Sequence, residues 1–188
     1  MFLENTVNTK EQFGWIEVIC GSMFSVKTEE LIRRLKRAQF AKQKVEIFKP
    51  GIDVRYGGDR VVSHDANEIL STPVPSASNI PLLADGCDVV GVDEAQFFDD
   101  GIIDIANKLA REDKRIVIAG LDKDYTGKSF GPIHQLLVDA EYVSKVNAIC
   151  ISCGDPASFS QRISSEKDLV VVGETDKYEA RCRKCFKP

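Results

Sequence analysis

The stretch GSMFSVKT, residues 21–28, is the part of this sequence that most constrains the fold. It matches the phosphate-binding loop pattern, a glycine, four residues, a glycine, a lysine and a serine or threonine, except that Val26 replaces the second glycine. The apolar run WIEVIC, residues 15–20, comes directly before it and predicts a buried strand. The segment TEELIRRLKRAQF, residues 28–40, predicts an amphipathic helix with apolar side chains on one face and basic residues opposite. Strand, loop and helix therefore follow the order that a phosphate-binding loop requires.

A loop between a strand and a helix directs several backbone amides at one point, and the positive end of the helix dipole adds to the attraction for phosphate. In such a loop Lys27 reaches the terminal phosphates and the Thr28 hydroxyl coordinates Mg²⁺. The alternative is an ordinary turn in which Ser25 or Thr28 caps the helix. The predicted ATP-binding residues of the loop are Gly21, Ser22, Met23, Phe24, Ser25, Val26, Lys27 and Thr28.

Val26 is the feature that argues against tight nucleotide binding. Glycine adopts positive φ freely and lets phosphate approach the backbone. A β-branched residue in that conformation is strained by about 1–3 kcal/mol. We therefore expect the chain to bind ATP more weakly than a Val26→Gly variant.

The rest of the first 150 residues alternates strands with helices. Apolar runs predict strands at 45–48, 87–93, 115–120 and 143–149, and helical patterns cover 79–85, 102–110 and 133–140. Residues 51–65, GIDVRYGGDRVVSHD, predict a long polar loop. Alternating strands and helices predict an α/β fold, with a parallel sheet covered by helices on both faces. The predicted division is a flexible tail at 1–13, a phosphate-loop ATP-binding domain at 14–147 and a zinc-binding domain at 148–188.

The net charge and the lengths of the apolar runs limit the kinds of partner that the chain is expected to bind. The net charge is −4, so the chain has no general electrostatic attraction for nucleic acid or anionic membranes. Its apolar runs are too short to span a bilayer, and the first 14 residues lack the apolar core of a secretory signal. The sequence therefore predicts a cytoplasmic protein that binds neither nucleic acid nor membrane.

The six cysteines fall into two kinds. A reducing compartment favours metal ligation or burial over disulfides. Cys150 with Cys153, and Cys182 with Cys185, form two CxxC pairs, which is a strong signal for a tetrahedral structural zinc site. The alternative is that the two cysteine pairs are free thiols and bind no metal. Cys20 and Cys87 border apolar runs and are expected to be small buried side chains.

A carboxylate pair ends a central strand. The apolar run CDVVGV, residues 87–92, leads into Asp93 and Glu94. Open parallel sheets bind ligands at the carboxyl ends of their strands. We expect Asp93 in the Mg²⁺ shell, usually through water, and Glu94 as a base or as the group that orients a nucleophile. The alternative is a pair that caps a helix.

Together, GSMFSVKTEELIRRL (21–35), DEAQFF (93–98) and GLDKDYTGKSFG (120–131) resemble the type II thymidine kinases, and the resemblance covers about 14–185. The resemblance implies a P-loop NTPase-like sheet with a small zinc-binding lasso domain, generally in a homotetramer. It implies transfer of the γ-phosphate of ATP to the 5′-hydroxyl of thymidine or deoxyuridine, in pyrimidine salvage for DNA precursors. Glu94 is then the proton acceptor, and Gln96 joins the ATP-binding residues. The letters DEAQ also occur in RNA helicases, but such motors need two ATPase domains and a basic track.

The resemblance also assigns the nucleoside site. The segment between the cysteine pairs becomes a lasso over the nucleoside, with its backbone at the polar edge of thymine and Tyr178 packed against the ligand. Asp53, Arg55 and, less specifically, Arg162 match family positions near the substrate or the phosphates. The other implied substrate-binding residues are Met23, Phe97, Leu121, Tyr125, Phe130, Val171, Val172, Gly173 and Glu174.

Two functional outcomes follow from these patterns. The first is an active thymidine kinase that uses ATP, Mg²⁺ and a structural zinc ion. The second is a nucleoside-binding relative whose phosphate transfer is impaired by Val26.

Overall fold

The computed structural model of the chain describes residues 13–52, 60–62, 68–164, 166, 168–169 and 176–187. The helices are α1 Lys27–Phe40, α2 Ile80–Leu83, α3 Gly101–Arg111 and α4 Ile133–Asp139. The first eight strands are β1 Trp15–Gly21, β2 Val45–Pro50, β3 Arg60–Val62, β4 Glu68–Leu70, β5 Thr72–Val74, β6 Val89–Val92, β7 Arg115–Leu121 and β8 Tyr142–Val146. The remaining strands are β9 Ala148–Ile149, β10 Pro156–Ala157, β11 Phe159–Arg162 and β12 Tyr178–Arg181.

Six strands form a central sheet in the order β5-β2-β6-β7-β1-β8, and every pairing in it is parallel. All the carboxyl ends therefore lie at one edge. The register sets Gly21 beside Leu121, and Val92 beside Ile118, so β1, β7 and β6 end close together. This edge carries the phosphate loop and the carboxylate pair.

Helices cover both faces of the sheet, which confirms the predicted α/β architecture. The face bearing Ile16, Val18 and Cys20 of β1 packs with buried residues of α2, α3 and α4. The other face, with Ile19 of β1, packs with apolar residues of α1. The alternation along β1 explains this division, since successive side chains of a strand point to opposite faces. Among the described helices, none combines the length and the apolar composition needed to cross a membrane.

Two predictions about strands were wrong. The segment 51–65 is not wholly loop, because β3 pairs antiparallel with β4. Three-residue strands are too short for a period-2 pattern to reveal them. The predicted strand 143–149 is also two strands, β8 in the central sheet and β9 paired with β10. The neighbouring strand β1 leaves the sheet at Gly21, opposite Val146, so β8 loses its partner there.

The strands after residue 147 form a small layer of their own, in which β9 pairs with β10 and β11 pairs with β12. Its core consists of Ala148, Cys150, Ala157, Ala180 and Cys182. Phe24, from the phosphate loop, packs against this core. We call this unit the C-terminal layer; its contacts with the phosphate loop are described below.

A buried ion network attaches α1 to the sheet. Arg34 and Glu17 are each 1% exposed, and Arg34 Nη1 donates to Glu17 Oε2 at 2.8 Å. Arg115 Nε donates to Glu17 Oε1 at 2.7 Å. Burial raises the pKa of Glu17, but the hydrogen bond and charge of Arg115, with further help from Arg34, outweigh it and lower the pKa. The expectation that the basic residues of α1 all face solvent is therefore wrong for Arg34.

The side chain of Cys87 is only partly buried, whereas Cys20 is fully buried. The expectation of two buried cysteines therefore holds for Cys20 and is wrong for Cys87. Cys87 comes before β6, which begins at Val89. It therefore lies outside the strand, whose residues are all buried.

Replacing Arg34 should cost far more stability than replacing its neighbour Arg33. Arg33→Met removes an ion pair to Glu30 from a side chain that is 47% exposed, so the free energy of unfolding should fall by about 0–1 kcal/mol. Arg34→Met removes a charge partner of buried Glu17, and the loss should be about 3 kcal/mol. Urea denaturation at neutral pH measures both values, and equal losses would contradict the role assigned to Arg34.

Candidate active site

The phosphate loop holds two non-glycine residues in left-handed backbone conformations. Phe24 has φ 63°, and Val26, which caps α1, has φ 58° and ψ 29°. The backbone at position 26 is therefore of the kind for which glycine is suited, although the residue is valine. Its side chain is 52% exposed. The strain of about 1–3 kcal/mol that the sequence predicted is therefore expected for the backbone of Val26.

Contacts within the loop and to the strands beside it fix this backbone. Ser25 Oγ donates to Ser22 O at 2.7 Å. Gly21 leaves no room for a side chain, because a Cβ there would lie 2.2 Å from Val146 O. The amide of Glu30 donates to Val26 O at 3.1 Å, which closes the first turn of α1.

The C-terminal layer also holds the loop. Ser22 Oγ donates to Ala157 O at 3.2 Å, and the amide of Met23 donates to Ser160 Oγ at 3.0 Å. Together with the packing of Phe24, these contacts fix three consecutive loop residues to β10 and β11. A strained backbone persists where its surroundings determine it in this way.

Lys27 lies among acidic groups from the ends of two strands, β6 and β7. Its Nζ donates to Ser22 O at 2.7 Å. Burial lowers the pKa of Lys27, and the negative charges of Glu94, Asp93 and Asp122 oppose that shift. The structure therefore brings Lys27 and the carboxylate pair together at the same edge of the sheet.

Glu94 is held in one orientation by Gln96. Its backbone has φ 50° and ψ 40°, again left-handed, and Gln96 Nε2 donates to Glu94 Oε2 at 2.5 Å. Gln96 is 3% exposed, and its Oε1 accepts from the amide of Leu121 at 2.9 Å. Glu94 precedes the 3-10 turn Ala95–Phe97 without capping it through its side chain. The alternative of a helix-capping role therefore gains no support for Glu94.

Asp93 directly follows β6 and is 7% exposed. Its Oδ1 accepts from the amide of Glu94 at 3.0 Å. Thr28 is the second residue of α1, next to Lys27. A carboxylate and a hydroxyl are hard oxygen ligands of the kind that Mg²⁺ prefers, so these two groups fit the ion chemically.

Aromatic residues from three segments form two groups near the same edge. The rings of Phe97 and Phe130 meet edge to face, with centroids 5.6 Å apart. The guanidinium of Arg162 lies 3.6 Å from the centroid of the Tyr125 ring, and its Nη2 donates to the hydroxyl of Tyr178. The loop carrying Phe130 packs closely on the 3-10 turn, because a Cβ at Gly131 would lie 2.3 Å from Gln96 O.

Several predicted site residues lie outside the residues that the structure describes. These are Asp53, Arg55, Val171, Val172, Gly173 and Glu174. Their assigned roles stay predictions.

Asp122 is a charged residue of this edge that the sequence patterns did not single out. It is 8% exposed, and its Oδ2 accepts from Lys145 Nζ at 2.6 Å and from Lys123 Nζ at 3.2 Å. Burial raises the pKa of Asp122, but these two lysines outweigh it and lower the pKa. Asp122 directly follows β7, as Asp93 directly follows β6, and that position at a strand end is the signal that could have found it.

The four cysteines of the two CxxC pairs cluster in the C-terminal layer. Their sulfur atoms all lie within 4.8 Å of one another, and the sulfurs of Cys153 and Cys182 are 3.6 Å apart. A tetrahedral zinc with Zn–S of about 2.3 Å separates its sulfurs by about 3.8 Å. The cluster therefore fits a structural zinc ion, which binds thiolates.

Comparison with known proteins matches the model of the family described as thymidine kinase to residues 14–186. A thymidine kinase of Rhodothermus sp. (strain ITI 518) is 59% identical, over 93% of this chain and 82% of its own length. A thymidine kinase of Bacteroides thetaiotaomicron is 56% identical, over 99% of this chain and 94% of its own. One of Porphyromonas gingivalis is 52% identical, over 98% of this chain and 91% of its own. Because the family model matches most of the chain, and because relatives of this identity cover nearly all of it, this chain belongs to the thymidine kinase family.

Proposed function

We propose that this chain is an ATP-dependent kinase that transfers the γ-phosphate of ATP to the 5′-hydroxyl of thymidine or deoxyuridine. The observation that carries the proposal is that Lys27, after β1, and Asp93 and Glu94, after β6, lie at the same carboxyl edge of the sheet. Membership of the thymidine kinase family supplies the substrates. The residues then divide into a phosphate part, an acid–base part and a nucleoside part.

The phosphate part is the loop and the start of α1. Backbone amides of residues 22–28 and the helix dipole attract the phosphates. Lys27 leaves its bond to Ser22 O and donates to the terminal phosphates instead. Thr28 and Asp93 would hold Mg²⁺, which would neutralise charge on the phosphates when bound.

The acid–base part is Glu94, which accepts the proton of the 5′-hydroxyl as that oxygen attacks. Phosphoryl transfer depends on positioning more than on strong basicity. The hydrogen bond from Gln96, which the amide of Leu121 holds in turn, fixes the carboxylate. Gln96 therefore acts as a positioning residue for Glu94, beside its predicted place among the ATP-binding residues.

The nucleoside part lies between the strand ends and the C-terminal layer. Phe97 and Phe130 supply apolar surface beside Glu94, and Tyr178 supplies it from β12. Met23, from the phosphate loop, and Leu121, the last residue of β7, complete the apolar surface. The backbone of residues 171–174 remains the predicted partner of the polar edge of thymine.

The impaired relative remains the second candidate, because Val26 occupies the left-handed conformation that disfavours valine. The geometry around Lys27 and Glu94 favours an active kinase. A cytoplasmic homotetramer stays a prediction, and its tetrameric state rests on the family resemblance alone.

Glu94→Gln should abolish most of the phosphate transfer while keeping the hydrogen-bonding shape of the side chain. We expect kcat for thymidine to fall by about 10²- to 10⁴-fold, since the variant has no carboxylate to accept the proton. The Kd for ATP should stay within about twofold, because phosphate binding does not use this group. Radiolabelled phosphate transfer and calorimetry measure the two quantities.

The matched control is Glu112→Gln, which changes an exposed carboxylate at the end of α3 and should keep full activity. A Glu94→Gln protein with the turnover of the parent chain would rule out Glu94 as the proton acceptor.

Val26→Gly should relieve the strain at the start of α1. If Val26 leaves the left-handed conformation when ATP is absent, the relief appears as tighter ATP binding. If Val26 keeps that conformation without ATP, the relief appears as greater stability of the folded chain. The two gains together should be about 1–3 kcal/mol, which corresponds to roughly 5- to 150-fold in an equilibrium constant. Calorimetry with ATP and urea denaturation measure the two terms.

Val26→Ala is the control for crowding, because alanine removes the γ-methyl groups but keeps a Cβ in the left-handed conformation. If alanine gives the whole gain, crowding and not backbone strain is the effect of Val26. If glycine changes neither affinity nor stability, the loop tolerates valine at no cost. Brisk transfer to thymidine by the parent chain would eliminate the impaired relative.

The purified chain should contain about one zinc ion, held by the four clustered cysteines. Cys182→Ser should lower the zinc content and the melting temperature, whereas Cys87→Ser, away from the cluster, should keep the metal. Metal analysis and calorimetric scans measure both effects. Metal-free protein with an ordered C-terminal layer would refute the assignment.

A further inference from the structure

Arg162, the last residue of β11, is a buried cation with an unusual set of partners. It is 9% exposed. Its Nη1 donates to Asp168 O at 2.5 Å and to Glu166 O at 3.3 Å, and its Nη2 donates to Leu169 O at 3.1 Å and to Tyr178 Oη at 2.7 Å. One guanidinium thus gathers three main-chain carbonyls from the segment after β11 and one hydroxyl from β12.

The same guanidinium also holds the loop that follows β7. Its carbon lies 3.6 Å from the centroid of the Tyr125 ring, a distance at which a cation is attracted to the aromatic face. The loop around Tyr125 is tightly folded, because Asp124 Oδ1 accepts from the amides of Thr126 at 2.8 Å and Lys128 at 3.1 Å. Arg162 therefore connects the C-terminal layer to a rigid loop at the carboxyl edge of the central sheet.

In this arrangement Arg162 does not have the two free parallel N–H donors that bidentate binding of a phosphate requires. A guanidinium carries two hydrogens on each Nη and one on Nε. The four hydrogen bonds use all four Nη hydrogens, and one face of the group lies on Tyr125. The buried Nε hydrogen is the only hydrogen of the group that has no partner among the described residues. Bidentate recognition of a phosphate needs two parallel donors, which Arg162 does not have to spare.

We propose that Arg162 is a positioning residue for the nucleoside, which fixes the ring of Tyr125 and the hydroxyl of Tyr178 on two sides of the site and does not bind phosphate. This inference rests on the proposed function, because it assigns Tyr125 and Tyr178 to the thymidine site. The family resemblance left open whether Arg162 lies near the substrate or near the phosphates, and this proposal chooses the substrate. It makes thymidine affinity, and not ATP affinity, depend on Arg162.

Steady-state kinetics with thymidine and ATP varied separately test the proposal. For Arg162→Met, KM for thymidine should rise about 10-fold or more, since at least one charge-assisted hydrogen bond that positions the site is lost. KM for ATP should stay within about twofold. Arg162→Lys should resemble Arg162→Met, because an ammonium has three donors and no planar face for Tyr125. The control Arg33→Met removes an exposed arginine of α1, away from the C-terminal layer, and both KM values should stay near those of the parent chain.

Tyr178→Phe is a milder variant that keeps Arg162 and removes only the hydroxyl it binds. It should raise KM for thymidine by a smaller factor than Arg162→Met. Zinc content equal to that of the parent chain verifies the folding of each variant. Parallel rises in both KM values, an unchanged KM for thymidine, or full recovery by lysine would overturn the proposal.

Amide hydrogen exchange without substrates separates this inference from the proposed function. Peptides that cover residues 159–169 should exchange faster in Arg162→Met than in the parent chain, and the control Arg33→Met should leave them unchanged. Unchanged exchange in Arg162→Met overturns the inference whatever the kinetics show. Failure of the parent chain to phosphorylate thymidine overturns the proposed function but leaves the exchange result decisive for the role of Arg162 in the fold.

Discussion

The left-handed backbone at residue 26 is the constraint on which the site depends. It turns the chain from the end of β1 into the start of α1, so that Lys27 and Thr28 open the helix at the carboxyl edge of the sheet. Valine does not favour that conformation, so contacts from outside the loop must stabilise it. The C-terminal layer supplies them through Ala157, Ser160 and the packing of Phe24. Two of the clustered cysteines, Cys150 and Cys182, lie in the core of that same layer, so a metal bound by the cluster would stabilise the phosphate loop indirectly.

The site is assembled from strand ends that are distant in sequence. Lys27 follows β1, Asp93 and Glu94 follow β6, and Asp122 follows β7. Parallel pairing alone brings these ends to one edge. The charges then balance one another, because burial of Lys27 disfavours its charged form and the three carboxylates favour it. Binding of phosphate would replace part of that carboxylate field with the charge of the ligand.

The sequence predicted the parts of this arrangement that have local signals. The order of strand, loop and helix at 15–40, the acidic pair after an apolar run and the CxxC pairs each lie within a short window, and the structure has the expected elements there. The pairing of β3 with β4 and the break between β8 and β9 depend on partners elsewhere in the chain, so periodicity could not find them.

The roles of Arg34, Asp122 and Arg162 were hidden for the same reason. Each binds residues that are far away in sequence or main-chain groups that carry no sequence signal. A basic residue on an amphipathic helix is expected to be exposed unless its partner is known. The partner of Arg34, Glu17, lies within an apolar strand, and a hydrophobicity pattern does not show that such a residue forms an ion pair. Sequence patterns thus predicted which residues belong to the candidate site, and tertiary contacts decide how those residues are held.

A crystal structure of the chain with thymidine, Mg²⁺ and a non-hydrolysable ATP analogue tests the central claim most directly. The account predicts that residue 26 keeps φ near 58°, and that Lys27 Nζ contacts the terminal phosphate while the Glu94 carboxylate faces the 5′-hydroxyl. A negative φ at Val26 with phosphate bound, or a nucleotide seated away from the start of α1, would contradict it.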